Sequence, residues 1–158
     1  PDDERFPDSF EIADKAGLSY SFGLASLTSA HPNSVVLEVK GKSGRTLTVQ
    51  ACSLGGGRIM INRLDGLDVN CTCEIPTLIV HNLDQPGHVA EVTSMLAHKS
   101  VNIANMSLYR DKRGGSAVMV VEMDQPLSKE SLQWLEHLEG IVKVTYINVT
   151  EGEEDDVL

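Results

Sequence analysis

The sequence predicts an α+β protein in two unlike parts. Three observations carry this. Between Ile75 and Val149 the hydrophobic period switches repeatedly between 2 and 3.6, the elements there fall in the order β-α-β-β-α-β, and residues 1–72 show mainly period-2 alternation broken by glycine-rich turns. Four strands with two helices in that order form the ferredoxin-like arrangement, with both helices on one face of the sheet.

In the first part, Asp8 followed by Glu11 opens a helix through Ile12–Ala16 that Gly17 closes. Leu18–Leu24 reads as a strand. Val35/Leu37/Val39 and Leu47/Val49/Ala51 alternate on either side of Gly41–Gly44, the pattern of a hairpin with a four-residue connection. After Gly55-Gly56-Gly57, Ile59 and Ile61 alternate, and Asp65-Gly66 is a two-residue turn signal. Residues 70–74 read as a linker. These strands need more cover than one short helix provides.

In the second part, Thr77–His81 is a short apolar run, consistent with a buried strand. A helix follows the Asn82–Gly87 turn, with Val89, Val92 and Leu96 on one stripe and Pro86 in its first turn, where a missing N–H costs nothing. Residues 101–110 alternate as a half-buried strand, and 111–115 turn the chain into the apolar run Ala117–Met123. Ser128 caps a second helix, Leu127 and Leu132 have staple spacing, and Leu132, Leu135 and Leu138 form its stripe. Gly140 stops it, and residues 141–148 are the last strand. The predicted domains are therefore 1–72 and 75–150, with an acidic tail over 151–158.

Aromatic residues make up 4% of the chain, so the core is aliphatic. The net charge is −10, and five of the negatives sit in Glu151, Glu153, Glu154, Asp155 and Asp156; without them the chain is still at −5. A phosphate-tracking surface needs a basic face that this composition lacks, which argues against nucleic acid. Cys52, Cys71 and Cys73 are an odd number without disulfide-scaffold spacing, no apolar run reaches the roughly 18 residues of a membrane span, and no leader-like segment opens the chain. A cytoplasmic protein that does not enter membranes is the simplest expectation. The opening Pro1-Asp-Asp-Glu-Arg5 reads as the middle of a longer polypeptide.

Metal and catalytic signals are weak. Structural zinc wants four ligands in paired spacings and an iron–sulfur cluster usually four thiolates, so three poorly spaced cysteines suggest no metal here. No nucleophile elbow, phosphate loop or His-Glu-x-x-His pattern occurs, so no catalytic residue is assigned. Two stretches do suit binding. In Asn82-Leu-Asp-Gln-Pro-Gly-His88, the helix N-terminus offers amides to a carboxylate, Gly87 allows close approach, and Asp84 could hold an ammonium group. Such a set fits a free amino acid; the plainer alternative is that Asp84 caps the helix and Gly87 only turns the chain. In the first part, His31-Pro-Asn33 precedes Ser53-Leu-Gly55-Gly56-Gly57, whose three glycines exceed the needs of a tight turn and can form an anion-binding concavity within reach of Asn33. A flexible hairpin connection is the alternative.

With these residues on view, Ile75–Val149, with Asp84-x-Pro-Gly87 and Val101-Asn102-Ile103, resembles the ACT domain, a regulatory module that commonly binds amino acids. Asp3-Glu-Arg-x-Pro-Asp-Ser-Phe-Glu-Ile-Ala13, His31-Pro-Asn-Ser34 and Ser53-Leu-Gly-Gly-Gly-Arg-Ile59 resemble the C-terminal part of the β domain of iron–sulfur-dependent bacterial L-serine dehydratases, related to the allosteric substrate-binding domain of some phosphoglycerate dehydrogenases. The pairing resembles the dehydratase beta chain. That resemblance implies a parent lyase of serine metabolism and gluconeogenesis converting L-serine to pyruvate and ammonia, its [4Fe–4S] cluster on a catalytic alpha chain or domain, and a fragment inactive alone. It further implies an ACT site of Asn82, Asp84, Gly87 and Asn102, with the asparagine of the second strand meeting the first loop across a subunit interface, and a second site of His31, Asn33, Ser53, Gly55, Gly56 and Gly57. At Asn82 and Asp84 this chain departs from the family's usual His and Asn; the Asp84 charge favours an ammonium and opposes a carboxylate. The expected partners are an amino acid such as L-serine, the alpha chain, and a second copy through the ACT domains. Two alternatives stand beside this reading: the regulatory region of an NAD-dependent phosphoglycerate dehydrogenase, and a ligand-free ACT dimerisation module.

Overall fold

Eight strands and three helices follow one another in a computed structural model that describes residues 4–27 and 30–148. The chain divides into two units, one ending at Pro32 and the other beginning at Asn33.

In the first unit a 3₁₀ turn at Phe6–Asp8 leads into α1 (Ser9–Lys15). Asp8 occupies the N-cap position without a side-chain cap bond, and Gly17, at φ +72°, follows the helix as expected. Residues 18–24 do not form the predicted strand. A strand's backbone needs a partner, and among the described residues of this unit no strand exists to supply one. Tyr20 and Phe22 instead meet Phe10 in an exposed aromatic cluster, Phe10 stacked on Tyr20 at 5.5 Å between centroids and Phe22 edge-on to both at 5.9 Å, while Leu18 and Leu24 stay exposed.

The second unit holds two four-stranded sheets. In the first, β1 (Ser34–Lys40), β2 (Thr46–Gly55), β3 (Arg58–Leu64) and β4 (Leu67–Cys71) form an antiparallel meander. Lys40 faces Thr46 across a five-residue connection, one longer than the sequence suggested. Asp65 and Gly66 have φ of +46° and +86°, as a type I′ turn demands of both central residues. The expected linker over 70–74 is partly strand: Val69, Cys71 and Cys73 alternate into the core while Asn70, Thr72 and Glu74 do not, a period-2 pattern that the weak hydrophobicity of cysteine disguises.

The second sheet contains β5 (Thr77–Leu83), β6 (Ile103–Arg110), β7 (Ser116–Met123) and β8 (Ile141–Ile147) in the order β6-β7-β5-β8, all pairs antiparallel. With α2 (His88–His98) and α3 (Lys129–Glu136) this is the predicted βαββαβ unit. Leu78, Val80, Met119, Val121, Met123 and Val144 face Val92, Leu96 and Leu135 of the helices in an aliphatic core. Ser128 caps α3 as foreseen, its hydroxyl accepting from the Ser131 N–H. Two boundaries differ. Pro86 lies before the N-cap Gly87, outside the helix, because Gly87 at φ +111° has still to turn the chain. The last helix ends at Glu136 with His137 as its C-cap, leaving Gly140, at φ +80°, to lead into β8.

The second sheet covers β2, β3 and β4, whereas Val35, Leu37 and Val39 of β1 stay about half exposed. Ile79, Val118 and Val120, on the face away from the helices, pack with Ala51, Ile61, Leu64, Val69, Cys71 and Cys73. Both faces of the βαββαβ sheet are thus occupied, which explains why β5 is buried along almost its whole length rather than alternating. Polar contacts fasten the seam. Lys143 Nζ on β8 donates to the Thr46 carbonyl at 2.7 Å and to Asp65 Oδ2 at 2.5 Å, while Arg45 donates to the Val144 carbonyl and pairs with Glu136 at 3.5 Å.

Candidate functional site

The loop from β5 to α2 gathers three of the predicted residues. Asn82 ends the buried part of β5, with 4% of its surface exposed. Its Nδ2 donates to the Leu83 carbonyl at 2.6 Å, and its buried Oδ1 has no hydrogen-bond partner among the described residues. Gly87 sits at the N-cap of α2 without adding a side chain, so the first-turn amides of the helix open onto this loop. Asp84 does not cap that helix. Its Oδ2 accepts from the Gly114 N–H at 2.9 Å and from Arg110 Nη1 at 3.0 Å, tying the loop to the β6–β7 hairpin. The Gly114 amide first, and the Arg110 guanidinium after it, hold the carboxyl below its ordinary value. An ammonium group would share this carboxylate with Arg110.

His88, the first residue of α2, braces the same loop. It is 7% exposed; Nδ1 bonds Glu91 Oε2 at 3.1 Å, and the ring lies against Gly140, where an added Cβ would stand 2.5 Å from Nε2. The Gly140 carbonyl in turn accepts from the Leu83 N–H at 2.9 Å. This brace was not foreseen, although an isolated glycine just before a strand was its visible trace.

Asn102 lies elsewhere. It precedes β6 and bonds Asp124 Oδ2 at 2.6 Å through Nδ2, while its N–H donates to Gln125 Oε1 at 2.7 Å. Asp124 follows β7, at the end of the sheet where β5 begins, since Thr77 pairs with Glu122 and Leu83 with Ser116. Six residues of strand at about 3.3 Å each separate the two ends by roughly 20 Å. One chain does not bring Asn102 to Asn82, Asp84 and Gly87.

At the far end of the first sheet, Gly56 and Gly57 are the two central residues of the β2–β3 hairpin, at φ of +62° and +78°, between the paired residues Gly55 and Arg58. Three glycines are therefore compatible with a tight turn after all, because Gly55, at φ +85°, follows an irregularity in the pairing after Ser53. The Ser53 hydroxyl accepts from the Gly55 N–H at 3.4 Å, and the Ser53 N–H donates to the Asn33 carbonyl at 3.0 Å. Asn33, Ser53 and the glycines thus form one exposed edge; His31 belongs to the other unit.

No spacing signal in the sequence marks the charged centre of the seam. His81 Nε2 is 3.8 Å from Asp65 Oδ2, which binds Lys143. Burial, only partly offset by the Asp65 charge, pushes the imidazole pKa down. Burial alone would raise the Asp65 carboxyl, but the Lys143 ammonium and the Thr48 N–H outweigh it and leave it lowered. His81 and Lys143 are cross-strand partners and Asp65 is a turn residue from the other sheet, so only the tertiary fold unites them.

As for a cluster or metal, no group of three or more His, Cys, Asp or Glu among the described residues is arranged to hold a metal ion. Cys71 lies in the seam core with Cys73, whereas Cys52 neighbours Ala51 on β2 and so points to the opposite face of the first sheet. That donor set does not fit an iron–sulfur cluster. Among the described residues no helix is long and apolar enough to cross a membrane.

A family profile described as the ACT domain matches residues 76–133. The chain is 31% identical over 145 residues to the probable L-serine dehydratase beta chain of Bacillus subtilis (strain 168), covering 92% of this chain and 66% of that protein. It is 30% identical over 150 residues to the L-serine dehydratase beta chain of Peptoniphilus asaccharolyticus, covering 94% and 68%. It is also 26% identical over 139 residues to the D-3-phosphoglycerate dehydrogenase of Bacillus subtilis, covering 87% of this chain but 26% of the enzyme. The chain spans about two thirds of the length of the two beta chains.

Proposed function

Because this chain belongs to the L-serine dehydratase beta-chain family, we propose that it is the regulatory part of a serine-deaminating lyase, sensing an amino acid, L-serine first among candidates, between two copies of its ACT domain. The bond-breaking chemistry and its [4Fe–4S] cluster belong in this proposal to a catalytic alpha chain or domain, which this chain binds in the cytoplasm. The observation that carries the two-copy reading is the separation of Asn102 from the β5–α2 loop. β6 is an outer strand of its sheet and pairs only with β7 among the described residues. If a second copy adds along that edge in antiparallel register, the start of its β6 meets the end of this one, where Arg110 holds Asp84. Asn102 of one copy then faces the loop of the other. An unpaired edge strand is a ready template for such pairing.

The ligand chemistry follows from the loop. First-turn amides of α2 suit a carboxylate, Asp84 suits an ammonium, and Asn82 and Asn102 both donate and accept, as a hydroxyl side chain requires. The similarity to a phosphoglycerate dehydrogenase supports the broader point that this pair of regions accompanies different catalytic machinery, as a regulatory unit would.

The test is calorimetric titration of L-serine into the chain and into Asn102→Ala, with sedimentation at several concentrations. Saturable binding that the substitution abolishes, by a concentration-dependent dimer, is expected. A monomer at every concentration, or binding untouched by Asn102→Ala, would overturn the two-copy site; a dimer indifferent to serine would favour the ligand-free dimerisation module.

A further inference from the structure

The seam between the sheets contains a thiol pair that the sensing proposal does not use. Cys71 ends β4, and Cys73 follows two residues later. In an extended chain such residues project to the same side with Cα atoms about 6.6 Å apart, near the upper limit that a disulfide spans. Here the chain does not stay extended. Cys73 takes φ +54°, a left-handed conformation uncommon for a residue with a side chain, and the two Sγ atoms come to 3.6 Å. We propose that Cys71 and Cys73 form a reversible intramolecular disulfide, a redox modification site built into the joint between the two sheets.

The two sulfurs have different roles. The hydrogen bond from Cys71 lowers the Cys73 pKa, with a further contribution from the Thr77 hydroxyl, whereas the same bond and burial raise Cys71. Cys73 borders the exposed Glu74 and Ile75 and is the sulfur an incoming disulfide reaches first, so the attack starts there. Cys73 displaces one thiolate from a low-molecular-weight disulfide such as oxidised glutathione and forms a mixed disulfide. Cys71 gives up its proton to the departing thiolate, attacks the Cys73 sulfur, and releases the second thiolate. Two protein thiols are oxidised, one external disulfide becomes two thiols, and atoms and electrons balance.

Both cysteines are buried, so the oxidant enters by local opening. β4 is an outer strand, and the segment after Cys71 joins no sheet until β5 begins. Glu74 and Ile75 are exposed there, with Glu74 held to Arg58 by an exposed ion pair at 3.1 Å. Such links open at low free energy. Since both sulfurs contact the core that includes Ile79, Val118 and Val120, closing the ring alters how the first sheet seats on the second.

The test equilibrates the purified chain in glutathione buffers of increasing oxidised fraction, quenches with acid, and counts free thiols after denaturation alongside the intact mass. The expected result is a fall from three thiols to one, with loss of two hydrogens and no retained glutathione, reversed by reductant. Cys52→Ser should lose both remaining thiols in the same buffers, while Cys71→Ser and Cys73→Ser should not form the internal bond. Three thiols persisting at every ratio, glutathione retained on the wild-type chain, or loss of the oxidised form in Cys52→Ser would overturn the proposal.

Discussion

Replacing Gly140 by alanine isolates the brace behind the β5–α2 loop. Two costs are readable from the structure. Gly140 has φ +80°, where a residue with a Cβ is disfavoured by about 1–2 kcal/mol. The new Cβ would also lie 2.5 Å from His88 Nε2 and 2.6 Å from Cε1, and that ring is buried and tied to Glu91. Moving it is an overpacking cost of about 1–3 kcal/mol. The total is roughly 2–5 kcal/mol. With a urea slope of about 1–3 kcal/mol per molar, a loss near 3 kcal/mol lowers the midpoint by about 1–3 M. Urea unfolding followed by circular dichroism reads this directly, and a double-mutant cycle separates the two parts. In a His88→Ala background the steric part disappears and only the backbone part, about 1–2 kcal/mol, remains. A cost below about 1 kcal/mol, or an equal cost in both backgrounds, would refute the reasoning.

Three further outcomes are expected. The pKa values of His81 and Asp65 are both shifted down on folding, so the unfolded chain takes up protons first; their contributions are complete above about pH 6.5 and are lost on acidification, His81 before Asp65. In Lys143→Met the Asp65 carboxyl loses its ammonium partner, so stability at pH 7 falls by about 1–3 kcal/mol and the stability curve flattens below pH 5; curves parallel to wild type would contradict this. Ser128→Ala removes the α3 cap and should cost about 1 kcal/mol in the same urea assay, whereas no change would mean that the hydroxyl bond to Ser131 is idle. Arg110→Gln should raise the Asp84 pKa in a carboxyl-carbon NMR titration while the Gly114 amide still holds it below the usual range; an unmoved midpoint would remove Arg110 from the account of that site.

Local signals made the βαββαβ unit legible. Ser128 with its flanking leucines, the apolar run at Thr77–His81 and the Asp111–Gly115 turn each specify a piece without help from distant residues. Asp65-Gly66 did the same for a hairpin. Leu18–Leu24 misled because apolar alternation indicates only that side chains seek cover; whether a strand forms depends on a partner, and here Tyr20 and Phe22 meet Phe10 while Leu18 and Leu24 remain exposed. The seam was invisible because Lys143 and His81 come from one sheet and Asp65 from the other, across sequence gaps that no spacing rule addresses. For the candidate site, Asn82, Asp84 and Gly87 were found together because they share one loop. The Arg110 partner of Asp84 and the His88–Gly140 brace come from tertiary neighbours, and both change what that loop can bind and how firmly it is held.

Complementation between two defective chains tests most directly whether L-serine is sensed across two copies. Asn82→Ala and Asn102→Ala, each verified as folded, should fail to bind L-serine alone. If the site is built across two copies, mixing and re-equilibrating the chains produces dimers with one intact site, and serine binding returns at a fraction of the wild-type stoichiometry. Should the mixture bind no better than either parent, while remaining dimeric and exchanging subunits, Asn82 and Asn102 do not meet across a dimer and the account of the site is wrong.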